Sequence, residues 1–318
     1  MTEISADQAI CQSGVIAEAN SDAVFITYNL SVEADLPRLK QLLGQVPVLA
    51  KAMAGAASLS GAEAELHVTV AIGEQVWAQF DGAQRPAGLL PFPQQQRDHL
   101  SAPATPADLL LHIRSNRHDI NHEMAARLHA LLADHLVLVE QVHGFRYLDS
   151  RDMTGFVDGT ENPQGDDRAK VAVIADGTFA GGSYIHLQRY EHDLQRWNEL
   201  AVKQQEDIIG RTKTDNVEYA GADKASFAHT KRTSLKDAQG QSVEILRHSM
   251  PYGDLTRRGL LFASFGASAV PFTQMLESMF HGDGQDGAYD KLLDYTAAVT
   301  GQSFFAPGLA MLESWKEV

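Results

Sequence analysis

At 318 residues, with 44% hydrophobic and 21% charged side chains, the chain has the composition of a folded globular protein and enough length to bury a core around a cofactor. Its 41 acidic against 26 basic residues leave a formal charge of −15, which repels phosphate backbones and anionic membranes, so neither nucleic acid nor a membrane is expected as a partner. Cys11 is the only cysteine, which excludes an intrachain disulfide and the thiolate clusters that hold zinc or iron–sulfur centres.

The opening MTEISADQAI lacks a basic start followed by an apolar run, and no later stretch reaches the roughly 18 apolar residues of a membrane helix, so a cytoplasmic location is expected. Ala23 to Leu30, rich in β-branched and aromatic residues, reads as a strand, and Ala34 to Met53 carries leucines at helical spacing. Leu66 to Ile72 predicts a second strand, Glu74 to Phe80 a minor helix, and Asp81 to Pro106, with its five prolines, a long surface connection. Leu109 to Ile113 then reads as a strand, Asn121 to Leu136 as an amphipathic helix and Val137 to Val142 as a strand. This β-α-β-β-α-β order is the split pattern of a ferredoxin-like antiparallel sheet.

The pattern partly recurs after Asp149. Strands are expected at Lys170 to Ile174 and Ser183 to Arg189, a helical stretch at His192 to Ile209, strands at Val243 to Arg247 and Gly259 to Ser264, and helices at Pro271 to Phe280 and Tyr289 to Val299. The expected fold class is therefore α+β: two ferredoxin-like units, residues 1–149 and 150–318, with antiparallel sheets and peripheral helices.

The most informative segment is GFVDGTENP, Gly155 to Pro163, a tight loop presenting Asp158 between Gly155 and Gly159, whose backbone freedom lets a flat ligand approach the main chain. His229, in ASFAHTKRT, has apolar neighbours able to shelter a metal-bound imidazole. Arg247, in VEILRHSMPYG, lies just before a Pro-Tyr-Gly turn, where its permanent charge would hold a nearby carboxylate ionised. Taken singly, these residues read more readily as an Asp-Gly turn, a surface or ordinary hydrogen-bonded histidine and a structural ion pair.

Taken together, GFVDGTENP, AHTKR and RHSMPYG resemble the dye-decolourising peroxidase family, and its bacterial cytoplasmic class B in particular. GFRYLDSRDMTGFVDGTENP, GGSYIHLQRYEHDLQRW, IGRTK, GLLFASFG and YDKLLDYTAAVTGQSFFAPGL look like family segments in family order, most convincingly from Leu109 to Leu309. The resemblance implies two ferredoxin-like halves with one haem b per chain in the second. His229 matches the proximal iron ligand, Asp158 the distal aspartate and Arg247 the distal arginine. Ser249, a catalytic candidate beside Asp158 and Arg247, stands where many relatives carry asparagine. Asp290 is the candidate carboxylate behind His229, with Asp294 as the alternative, and Gly155, Gly159, Thr160, Glu161, Arg211, Arg247 and Phe262 are expected to line the cofactor.

The implied activity is oxidation of dyes and other phenolic or aromatic donors by hydrogen peroxide through a ferryl intermediate, with an acidic optimum because a carboxylate replaces a distal histidine. Trp77, Trp197, Trp315 and the eight tyrosines are candidate electron relays, most of them expected to be core residues. A homo-oligomer, a dimer first, is expected. Only AMLESWKEV follows Gly308-Leu309, so packaging in a protein nanocompartment (encapsulin) is not expected. Rival readings are a haem-handling protein with incidental peroxidase activity, a chlorite-dismutase-like enzyme, and a haem-free protein that assembles through its sheets.

Overall fold

The computed structural model describes residues 10–58, 65–82, 84–282 and 287–317; the opening residues 1–9, read above for a leader, lie outside this set. In the first half, strand β1 (Asp22–Leu30) leads to helix α1 (Leu36–Ser58), then β2 (His67–Gly73), a short hairpin of β3 (Gln95–Arg97) and β4 (Leu100–Ala102), β5 (Leu109–Ser115), α2 (His118–Leu132) and β6 (Leu136–Phe145). Short helix α3 (Asp167–Ala172) precedes the second half: β7 (Ser183–His192), helices α4 (Leu194–Glu199), α5 (Val202–Ile209) and α6 (His229–Thr233), then β8 (Leu246–Arg247), β9 (Met250–Gly253), β10 (Arg258–Gly266), α7 (Val270–His281), β11 (Thr296–Ala298), β12 (Gln302–Ala306) and α8 (Leu309–Ser314).

The strands of the first half lie in the order β2-β5-β1-β6, and those of the second in the matching order β12-β7-β10-β9, all antiparallel. This is the duplicated ferredoxin-like arrangement. The two sheets are not merely packed together, because β12 pairs with β2 and β6 with β9 at Gly144 and Tyr252, closing one ring of strands. Alternate side chains of β1 divide accordingly: Val24, Ile26 and Tyr28 pack under α1 and α2, whereas Ala23 and Phe25 point into the ring with Leu110, Ile185 and Phe265.

Several local expectations are corrected. Residues 167–172 are helical, because the backbone turns at the Asp-Asp pair and buries Ala169 and Ala172 on one side. The helix expected from His192 is delayed, since β7 continues to His192 and Asp193 then caps α4 by accepting from Arg196 N at 3.1 Å. Tyr289 to Val299 forms a single 3-10 turn followed by β11, because Asp290 accepts from Leu292 N and the next residues pair with β7. No helix among the described residues is long and apolar enough to cross a membrane.

Candidate active site

A cavity lies on the outer face of the second half, between β7, β10, α6, α7 and the loop from Asp152 to Asp158. It holds about 1000 Å³ of empty space, some of it open to solvent, which is ample for a cofactor. Phe262, Phe272, Met275, Leu276, Met279 and Leu292 make its walls apolar. A more polar opening, lined by Thr160, Glu161, Arg211 and Glu244, shares His229, Asp158 and Arg247 with it.

His229 begins α6, which is pressed against the end of α5. Gly210 terminates α5 with a left-handed backbone (φ +88°), and a Cβ there would run into Thr230 Oγ1. The close approach therefore needs glycine. Lys291 N donates to Phe227 O at 3.0 Å, and Asp290 N donates to Met279 O at 2.7 Å, so the 3-10 turn is tied to both α6 and α7. Asp290, 0% exposed, is thereby aimed at the imidazole, and its Oδ2 lies 2.6 Å from His229 Nδ1. Asp294 instead accepts from Tyr289 OH at 2.9 Å. Burial opposes a charge on His229, but the Asp290 carboxylate outweighs it and holds the imidazole above its ordinary value. Nε2 has no hydrogen-bond partner among the described residues and is left for a ligand.

The distal candidates are brought together by a side chain that sequence reading passed over. Asn162 Nδ2 donates to Arg247 O at 2.7 Å and Asn162 Oδ1 accepts from Arg247 N at 2.8 Å, so the amide fastens the GTENP loop to the two-residue strand β8. Asp158 and Arg247, 89 residues apart, thus line one cavity. No protein group among the described residues bonds the Arg247 guanidinium, and its Nε is buried without a partner. Asp158 Oδ1 accepts from Gly159 N at 2.8 Å. Burial pushes the Asp158 carboxyl up; Arg247 opposes that rise and Asp152 adds to it. Asn162→Ala is expected to cost about 1–3 kcal/mol of stability, from two lost bonds and unsatisfied main-chain groups, as chemical denaturation would register.

The remaining expected residues divide. Gly155 (φ +91°) and Gly159 (φ +76°) adopt backbone angles that suit glycine. Phe262 is on the cavity wall, and Thr160 accepts from Asn216 Nδ2 at the polar opening. Arg211 is already engaged by Glu161 and Glu218, each at 3.0 Å. Ser249 does not line the cavity of His229: its hydroxyl accepts from Ala263 N at 3.2 Å, and it borders instead an adjoining cavity that Asp158 and Arg247 also touch. Trp77, Trp197 and Trp315 are all buried core residues.

A second buried pair escaped notice in the sequence. His192 Nε2 lies 3.0 Å from Asp152 Oδ1 and its Nδ1 2.8 Å from Thr296 Oγ1, while Asp152 Oδ2 accepts from Thr154 N and Oγ1. Burial raises the Asp152 carboxyl, but His192 and Thr154 outweigh it and hold it below the ordinary range. The period-two spacing of Gln188, Tyr190 and His192 on β7, a polar stripe facing the cavity, is the signal that would have found it. His192→Leu is expected to destabilise the fold by roughly 3 kcal/mol, by leaving Asp152 buried and unpaired, as thermal or urea unfolding would register.

Fold and site together define a ligand-binding enzyme built on a duplicated ferredoxin-like scaffold, with a carboxylate-backed histidine and a carboxylate–guanidinium pair on one cavity. Family profiles for the N-terminal and C-terminal parts of Dyp-type peroxidases match residues 12–146 and 149–311, and the chain belongs to the Dyp-type peroxidase family. It is 35% identical over 309 residues to a dye-decolorizing peroxidase of Mycobacterium tuberculosis, an alignment covering 96% of this chain and 90% of that protein. A solved variant of DypB from Rhodococcus jostii RHA1 in complex with heme is 35% identical, with a TM-score of 0.88 over 94% of this chain and 97% of that one. The encapsulated DyP-type peroxidase from Mycobacterium smegmatis is 34% identical, with a TM-score of 0.90 over 96% and 98% of the two chains. The chain is an enzyme, a dye-decolourising peroxidase.

Proposed function

We propose that the chain holds one haem b in this cavity and uses hydrogen peroxide to oxidise phenolic and other aromatic donors, dyes among them. The observation that carries the reading is the His229–Asp290 pair, whose free Nε2 faces an apolar cavity also lined by Asp158 and an unpartnered Arg247. A nitrogen donor backed by a carboxylate, apolar walls and polar groups on the same cavity are what a haem peroxidase needs, so the residues present fit the group. The heme complex of DypB supports the same choice.

When bound, haem would supply an iron centre able to reduce peroxide by two electrons. His229 Nε2 would hold that iron, while Asp290 accepts the Nδ1 proton and makes the imidazole a stronger donor. The Asp158 carboxylate takes the proton from one peroxide oxygen and returns it to the departing one. The Arg247 guanidinium opposes the negative charge on that departing oxygen. The apolar wall of Phe262, Phe272 and Leu276 excludes water from the centre. Arg211 would reach a haem carboxylate only by giving up Glu161 or Glu218.

We take residues 1–149 as the supporting half, residues 150–318 as the haem-carrying half, the location as cytoplasmic and the assembly as a homodimer, which light scattering would check. The likeness to an encapsulated relative removes the ground for setting packaging aside, and co-expression with a shell protein decides it. The reading itself is tested by adding haem and then one equivalent of peroxide to the purified protein. A Soret band that changes rapidly on peroxide supports it. Haem binding with no response to peroxide, but ready transfer to an apo-acceptor, would replace it with a haem carrier.

A further inference from the structure

A second cavity, of about 990 Å³ including space open to solvent, lies behind the Asp158 loop at the end of the strand ring. It touches Asp158, Gly159 and Arg247 but not His229, so it adjoins the space assigned to haem across Asp158 and Arg247, which line both. Its lining differs in kind from the rest of this acidic protein. Five guanidinium groups, those of Arg114, Arg146, Arg151, Arg168 and Arg247, meet only two carboxylates, Glu18 and Asp158.

Ordinary pairing does not neutralise these charges. Asp149 offsets Arg151 at 2.8 Å. Arg168, 5% exposed, is held by the carbonyls of Ile16, Ala17 and Pro163 and has Glu18, itself 70% exposed, only at 3.6 Å. Arg114, 4% exposed, donates to Asn20 Oδ1, Glu18 O and His248 Nδ1 and meets no carboxylate within ion-pair distance. Carbonyls satisfy hydrogen bonds and leave the positive charge in place. Burial, and then the neighbouring Arg168, depress Arg114 to about 9 from its ordinary value, as expected of a cation short of counter-charge. His248 adds no negative charge: with Arg114 donating to its Nδ1, its Nε2 donates to Val15 O at 2.7 Å.

Donors for a ligand remain. The guanidinium groups of Arg247 and Arg146 have no hydrogen-bond partner among the described residues, and Tyr147 presents an unbonded hydroxyl to the same cavity. We propose that this cavity is a binding site for a small anion, an inorganic oxyanion or the carboxylate of a small organic acid, held by Arg146 and Arg247 in the field of the buried Arg114 and Arg168. Planar guanidinium forks suit both ligand types, which share the two-oxygen geometry. The cavity and its charges carry the inference; Arg247 also borders the space proposed for haem, so binding is measured without haem as well as with it.

Calorimetric titration of inorganic phosphate, and separately of acetate, into the purified protein before and after haem is supplied tests it, with the Soret band recorded in the haem-loaded arm. Saturable binding in both states is expected, weakened roughly tenfold by Arg146→Ala, lost with Arg146→Glu and untouched by Arg38→Ala, a surface change outside the cavity. Phosphate alone binding identifies the ligand as an inorganic oxyanion, and acetate alone as an organic carboxylate. No saturable heat with either anion, binding indifferent to both Arg146 changes, or binding only after haem loading together with a Soret shift would each overturn the proposal, the last by placing the anion on the iron.

Discussion

His229→Ala is expected to weaken haem binding by more than about a hundredfold, with little loss of fold stability. Among the described residues, His229 is the histidine on the cavity that has both a buried carboxylate behind it and a nitrogen left free: His192 also lines the cavity, backed by Asp152, but both its nitrogens are engaged, by Asp152 and Thr296. Haem titration followed by absorbance gives the affinity, and added imidazole should restore the Soret band by entering the space vacated. Asp290→Asn tests the same pair from the other side. The amide keeps the size and the bond to Leu292 N but not the charge, so affinity should fall by about 10–100-fold. Unchanged haem affinity in His229→Ala would remove His229 from the iron.

Asp158→Asn is expected to slow the reaction with peroxide by a factor of about 10²–10⁴, the range that a positioned acid–base group contributes. It should also change the pH dependence in a defined direction. Burial raises the Asp158 carboxyl above the ordinary aspartate value near 3.8, so the carboxylate that accepts the peroxide proton is present above that raised value and lost as pH falls through it. The acid limb of the peroxide reaction should therefore lie above pH 3.8 in the native protein and vanish in Asp158→Asn. The same shift acts on stability with the opposite sense: the folded state holds the proton more tightly than the unfolded chain, so the contribution of Asp158 is present at low pH and declines as pH rises through its folded value. Stopped-flow rates from pH 3 to 8 on both proteins decide the matter. Dye oxidation at steady state should peak on the acid side of neutrality, and a native peak above about pH 8 would count against the assignment of roles.

How much was legible in the sequence follows from the range of the forces involved. Strands β1 and β5 are written as short runs of apolar, β-branched and aromatic residues, because both their faces are buried, and helix α1 as leucines at helical spacing. Residues 167–172 and 289–299 were misread for the converse reason. Both are short, mixed segments whose state is set by what they pack against: α3 buries Ala169 and Ala172, and β11 exists only because β7 offers it an edge. The joining of the two sheets through Gly144 with Tyr252 and through β2 with β12 leaves no local trace, since each contact spans more than a hundred residues.

The site shows the same division. Sequence by itself determined which groups this protein brings to its chemistry: a glycine-flanked aspartate, a histidine beside apolar residues, an arginine ahead of a turn, and the absence of cysteine ligands, all matters of residue type and short spacing. Tertiary structure decided which of them act together. It set Asp290 rather than Asp294 behind His229, committed Ser249 to the backbone of β10, engaged Arg211 with two glutamates, and made Asn162 the tie between the aspartate loop and Arg247. A hydrogen bond acts over about 3 Å, and the chain separations it spans here carry no periodic signal, so only the folded backbone settles the partners.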